Sequence, residues 1–186
     1  MGAFEVGALW GLYFNDEDKS KYAYDIVTGV SAGAINTAAL ALFAPGDEGN
    51  AIKFLSQEWQ TMGGRDIYKE WKKIGGIVDG VLNEYGTFDT SPLNQTLSNI
   101  FDQFNYDIKR KIVVSCADVN SGSYVLYDET VSDPVKAVVS SAAIPFVFPH
   151  INWDKSDVVC MDGGMIYNVN LVSAVKRCRD QVDDDS

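Results

Sequence analysis

Residues 24–43 read Tyr-Asp-Ile-Val-Thr-Gly-Val-Ser-Ala-Gly-Ala-Ile-Asn-Thr-Ala-Ala-Leu-Ala-Leu-Phe, YDIVTGVSAGAINTAALALF. The β-branched run Ile26-Val27-Thr28 predicts a short strand, and the small-residue run after Gly33 predicts a helix. Between them stands Gly29-Val30-Ser31-Ala32-Gly33, a G-x-S-x-G pentapeptide at a sharp strand-to-helix turn. That is the form of a nucleophile elbow. Gly29 and Gly33 are expected where backbones crowd, so that a Cβ at either would clash. The helix after Ser31 points its first N–H groups at the place where an oxyanion would form.

Working outward, the 186 residues suit one domain with a sizeable core. The 46% apolar share is that of a globular chain. A net charge of −11 argues against nucleic acid as a partner and against electrostatic docking on anionic lipid. The basic clusters Lys69/Lys72/Lys73 and Lys109-Arg110-Lys111 read as solvated surface. The three cysteines, Cys116, Cys160 and Cys178, lack metal-ligand spacing and suit a reducing, cytoplasmic setting without a disulfide framework. Cys116 and Cys160 lie in apolar runs and are expected as buried thiols. The apolar stretch 30–44 is too short to span a bilayer and reads as a buried helix.

Around the elbow, strands and helices alternate. Helices are expected over 3–14, with Phe4, Leu9, Leu12 and Tyr13 available for packing, and over 52–62. A third starts at Thr90-Ser91-Pro92 and carries Leu93, Leu97, Ile100 and Phe101 on one face. Residues 66–85 show no clear period. Strands are expected over 111–117 and 124–127 as a hairpin pair, and over 158–161, with helices at 134–143 and 171–178. Residues 181–186 form an acidic tail. The alternation predicts an α/β sheet covered on both faces.

A serine needs a base. The single histidine, His150, precedes the best acid candidate and is wedged in Phe148-Pro149-His150-Ile151, which favours a structural role. Asp162 ends an apolar strand and is followed by Gly163-Gly164. At that strand end it would share a crevice with the elbow and accept the proton of Ser31 directly, or else Asp-Gly-Gly is only a tight turn.

Together, Gly29–Gly33 and Asp162-Gly163-Gly164 resemble the patatin-like phospholipases. So do Gly2-Ala3-Phe4-Glu5-Val6-Gly7-Ala8-Leu9, which is similar to the segment closing the family's glycine-rich oxyanion loop, and the blocks 116–122, 140–145 and 162–168. The resemblance runs in family order over nearly the whole chain. It implies the patatin-type three-layer fold, with a parallel-rich central sheet between helices. It implies carboxylic-ester hydrolysis by a Ser31–Asp162 dyad, phospholipase A- or lysophospholipase-like, without metal or cofactor. Donors at Ala32 and near Gly2 would bind the oxyanion, and the substrate would be a lipid or phospholipid ester.

Two departures stand out. Only the last glycine of the oxyanion loop is matched, so residues 1–186 read as a single domain lacking the first strand and most of that loop. Asn170 stands where the family usually has proline. The alternative function is therefore a catalytically impaired domain that binds lipid or a partner protein. Trp59, Trp71, Ile74, Ile77, Val78 and Phe88 are candidates for an acyl groove, against the simpler reading of ordinary core. Contact with membrane would be peripheral, transient and hydrophobic.

Overall fold

The computed structural model describes residues 1–71, 86–154 and 156–182. Helix α1 spans Gly2–Asn15, strand β1 Ile26–Gly29, α2 Ala32–Ala41 and α3 Glu48–Thr61. Then come α4 (Ser91–Gln103), β2 (Lys111–Asp118), β3 (Tyr124–Asp128) and α5 (Pro134–Ser141). The chain closes with β4 (Ile151–Trp153), β5 (Val158–Asp162) and α6 (Leu171–Val182).

The sheet runs β1-β2-β5-β4, with β3 also paired to β2. Strands β1 and β2 are parallel, joined through the helices between them. Strands β3 and β5 are antiparallel to β2, and β4 is antiparallel to β5. One face of the sheet packs on α2, α4 and α5. Ile112 and Val114 of β2 meet Ala38 of α2, Leu97 and Phe101 of α4, and Val138 of α5 in one buried cluster. Val27 packs into the same cluster. Thr28, next along the strand, therefore faces the other way. Its hydroxyl donates to the Asn170 carbonyl at 3.4 Å, and α6 packs against β1 on that side. The result is the expected three-layer α/β arrangement.

The helical face drawn on 91–103 is realised: Leu93, Leu97, Ile100 and Phe101 are all buried. Helix α1 differs. Val6 is its buried side chain, while Phe4 and Leu12 are exposed, Phe4 to 81%. Short helices leave one stripe against a neighbour, and here the stripe facing α2 and α3 runs through Val6. Strand β4 was not expected, because Pro149 and a three-residue length leave almost no period to read.

Two expectations are corrected by packing. Arg110 is not solvated surface. Its guanidinium is buried against the Glu48 carboxylate and donates to the carbonyls of Tyr24, Phe43 and Ala44. A buried arginine persists only with its donors matched in this way. Cys116 and Cys160 are not separate thiols. They are joined by a disulfide between β2 and β5, with Cα atoms 5.6 Å apart, while Cys178 is free and exposed. The antiparallel pairing of β2 with β5 brings the two strands' cysteines together, which linear spacing does not show.

Lys72, Lys73, Ile74, Ile77 and Val78 lie outside the described residues, as does 183–186 of the expected acidic tail; 181 and 182 belong to α6. Among the described residues no helix is long and apolar enough to cross a membrane.

Candidate active site

Ser31 occupies the turn between β1 and α2 with φ 56° and ψ −125°. A non-glycine residue rarely adopts such a backbone, and surrounding contacts must over-determine it. Gly29 supplies one of them. A Cβ there would lie 2.2 Å from the Gly33 carbonyl oxygen and 2.4 Å from Thr37 Oγ1. Gly33 does not behave as expected. A Cβ on it would meet only the Glu5 carboxylate, at an ordinary 3.5 Å. The crowding falls on the strand side of the turn, because α2 folds back over Gly29 while Gly33 already lies within the helix.

The backbone N–H of Ser31 donates to Ser141 Oγ at 3.0 Å. The N–H groups of Gly33 and Ala34 donate to the carbonyls of Val30 and Ser31. Among the described residues the Ala32 N–H has no acceptor, as expected of the first residue of a helix. It is available to an anion beside Ser31.

Helix α1 begins next to this turn. Asn36 Nδ2 donates to the Gly2 carbonyl at 3.1 Å and to Glu5 Oε2 at 2.7 Å. Asn36 Oδ1 accepts from Trp59 Nε1 at 2.7 Å. Gly2 is packed so closely on Trp59 that a Cβ would fall 2.3 Å from the indole. One buried amide thus locks the first turn of α1, the start of α2 and the end of α3 together. Trp59 is half-buried: it packs on the core between α1 and α3 and also lines a surface cleft with Val6 and Trp10. Trp71 Nε1 donates to the Gly86 carbonyl, and Phe88 packs on Tyr68.

Asp162 ends β5 and is 6% exposed. It reaches the elbow from the direction opposite to that expected. In the parallel pair the last paired residue, Gly29, lies opposite Val114, and Ser31 follows in the turn past that end of β1. Cys116 lies opposite Asp162 in the antiparallel pair. The turn after Asp162 meets the elbow where Gly163 lies against Val30, the residue before Ser31. Gly163 permits the close approach: a Cβ would be 2.4 Å from the Ser115 carbonyl and 3.0 Å from Val30 Cγ1. Gly164 donates its N–H to Asp162 Oδ1 at 2.8 Å, and a Cβ there would crowd that same oxygen and Asn168 Oδ1. Among the described residues the other carboxylate oxygen, Oδ2, has no hydrogen-bond donor, and none joins Ser31 Oγ to Asp162. Apo sites often tighten only around substrate.

His150 sits at the start of β4, the opposite edge of the sheet from β1. Three strand spacings, about 14 Å, separate those edges. Asn170 caps α6, its side-chain oxygen accepting from the Ser173 N–H, which accounts for a helix-starting residue other than proline. Among the described residues no group of three or more histidine, cysteine or acidic side chains forms a metal cluster.

Sequence reading missed Asn36 and Ser141. Asn36 carried a signal, a lone amide in an apolar helix. Ser141 carried almost none, being one small residue in the block 140–145.

A strained serine at a strand–helix turn and a buried aspartate at a strand end sit on one three-layer α/β frame. The chain belongs to the patatin-like phospholipase family, whose model matches residues 1–175. Membership places it among lipid acyl hydrolases in general, with lipids as the substrate class. No curated protein matches the chain.

Proposed function

We propose that this protein hydrolyses carboxylic esters of lipids through a Ser31–Asp162 dyad and an acyl-enzyme. The observation that carries the reading is the close approach of the turn after Asp162 to Val30, the residue before the strained Ser31. Asp162 Oδ2 takes the proton of Ser31 Oγ as that oxygen attacks the ester carbonyl. The Gly164 N–H keeps Oδ1 turned into the turn, which leaves Oδ2 for the proton. The tetrahedral oxyanion is stabilised by the Ala32 N–H, with the N–H groups at the start of α1 near Gly2 as further donors. Asp162 returns the proton to the leaving alcohol. Water then attacks the acyl-enzyme, Asp162 takes its proton, and the proton passes to Ser31 as the fatty acid leaves.

Contact with lipid is supported by the segment after the acid. Met165, Tyr167 and Val169 all expose apolar surface close to Asp162 in sequence. They form an apolar rim near the candidate acid. The net charge of −11 directs such contact to neutral or zwitterionic surfaces.

Labelling with a fluorophosphonate probe tests the reading. The parent protein should label, Ser31→Ala should not, and Asp162→Asn should label about 10²–10⁴-fold more slowly. A folded parent that does not label would favour the impaired, lipid-binding alternative. Substantial labelling of Asp162→Asn would overturn the dyad.

A further inference from the structure

We propose that Ser141, at the end of α5, is a positioning residue for Ser31: its buried hydroxyl accepts the Ser31 amide and fixes the left-handed turn that presents the Ser31 hydroxyl. The assignment rests on the dyad reading for its effect on turnover, but its structural half stands independently.

The turn of Ser31 is strained at φ 56°, and strain of this kind persists only where neighbours hold it. Helix α2 holds the carbonyls of the turn through the Gly33 and Ala34 N–H groups, but it cannot accept the Ser31 N–H. Ser31 is the cap residue of α2, so its N–H has no intrahelical acceptor. The acceptor comes instead from a helix 110 residues away in sequence, at 3.0 Å. Ser141 is fully buried, so water does not compete for the bond. Because this bond uses the Ser31 N–H, the free Ala32 N–H is left as the donor for the oxyanion.

The segment just past α5 also grips the acid. The Ala143 carbonyl accepts the Asp162 N–H at 2.8 Å. The neighbouring Ser140 Oγ accepts from Trp153 Nε1 at 3.0 Å, which ties the end of α5 to β4. Residues 140–143 therefore form a brace between the two halves of the dyad, anchored to the far edge of the sheet. Ser141 is the member of that brace whose side chain touches Ser31, and only its acceptor oxygen is required.

Three substitutions separate the acceptor from the packing. Ser141→Ala removes the oxygen, Ser141→Cys keeps the side chain's shape with a larger, weaker acceptor, and Ser141→Thr keeps the hydroxyl and adds a methyl. Fluorophosphonate labelling per folded molecule is expected to fall at least about tenfold in the alanine and cysteine variants, with threonine nearer the parent. Against a soluble ester, kcat should fall with KM unchanged. Exchange of the Ser31 amide proton, followed by hydrogen–deuterium exchange, should quicken in both variants relative to the parent, whether or not the protein turns over lipid. Parent-like labelling in the folded cysteine or alanine variant, or an equally protected Ser31 amide, overturns the proposal. A parent that fails to label, with a Ser31 amide that still loosens in the variants, would instead sink the dyad reading and leave the brace standing.

Discussion

Asp162 lies directly opposite Cys116 on β2, and Gly163 after it lies against Val30, the residue before Ser31. The turn after the acid comes this close to the elbow only because Gly163 carries no side chain. A Gly163→Ala methyl would press on the Ser115 carbonyl at 2.4 Å and on Val30 at 3.0 Å. The strand end must then retreat from the elbow. Gly163→Ala should lose about 1–3 kcal/mol of stability. It should also lose most probe labelling at temperatures where circular dichroism shows it folded; parent-like labelling would refute the close-approach role.

The two elbow glycines should respond oppositely to alanine. Gly29→Ala forces a methyl into the Gly33 carbonyl and the Thr37 hydroxyl, and should cost about 1–3 kcal/mol or more. Gly33→Ala meets only ordinary contact, inside a helix where alanine is favoured by about 0.5–1 kcal/mol. Urea melts of the two variants read the contrast directly.

The disulfide gives a thiol count. Of the three cysteines, only Cys178 should react with a thiol reagent in denatured, unreduced protein, and all three after reduction. The closed loop spans 44 residues, so removing the cross-link by Cys160→Ala should lower stability by about 4 kcal/mol in the chain-entropy picture. Three reactive thiols before reduction would show that the bond does not form.

Acid stability should depend on Asp118. The Ser121 hydroxyl and the Val159 N–H donate to its carboxylate and hold it down at about 2, against an ordinary 3.8. A carboxyl depressed on folding stabilises the protein above its ordinary value, and that contribution is lost as pH falls toward its folded value. Asp118→Asn should therefore unfold more readily at pH 7 and show a shallower loss of stability between pH 4 and 2 than the parent. Urea midpoints across that range check it. An identical acid limb in the variant would show that Asp118 is not a source of the dependence.

The apolar rim should matter on surfaces and not in solution. Val169 is 78% exposed, so Val169→Asp should leave the fold and hydrolysis of a soluble short-chain ester intact. Turnover on zwitterionic vesicles should fall several-fold, since a charge must then enter the interface. Equal losses on both substrates would point to damage at the site itself.

The linear order of residues determined the local elements by itself. The β-branched run before Gly29, the small-residue helix after Ser31 and the apolar face of 91–103 each carry their own period, and period is a local property. The proposal of Ser31 and Asp162 rests on signals of the same local kind, since each sits in a short block with a distinctive glycine pattern. Tertiary structure alone decided how those blocks meet. Strand β5 runs antiparallel to β2 and ends where Gly163 meets Val30 of the elbow, a relation between segments far apart in sequence. The same pairing joined Cys116 to Cys160, and the buried Glu48 carboxylate took Arg110 out of solvent. Ser141 shows the limit most plainly. A serine hydroxyl has no period and no charge to announce it, and its role exists only because α5 ends where the Ser31 amide needs an acceptor.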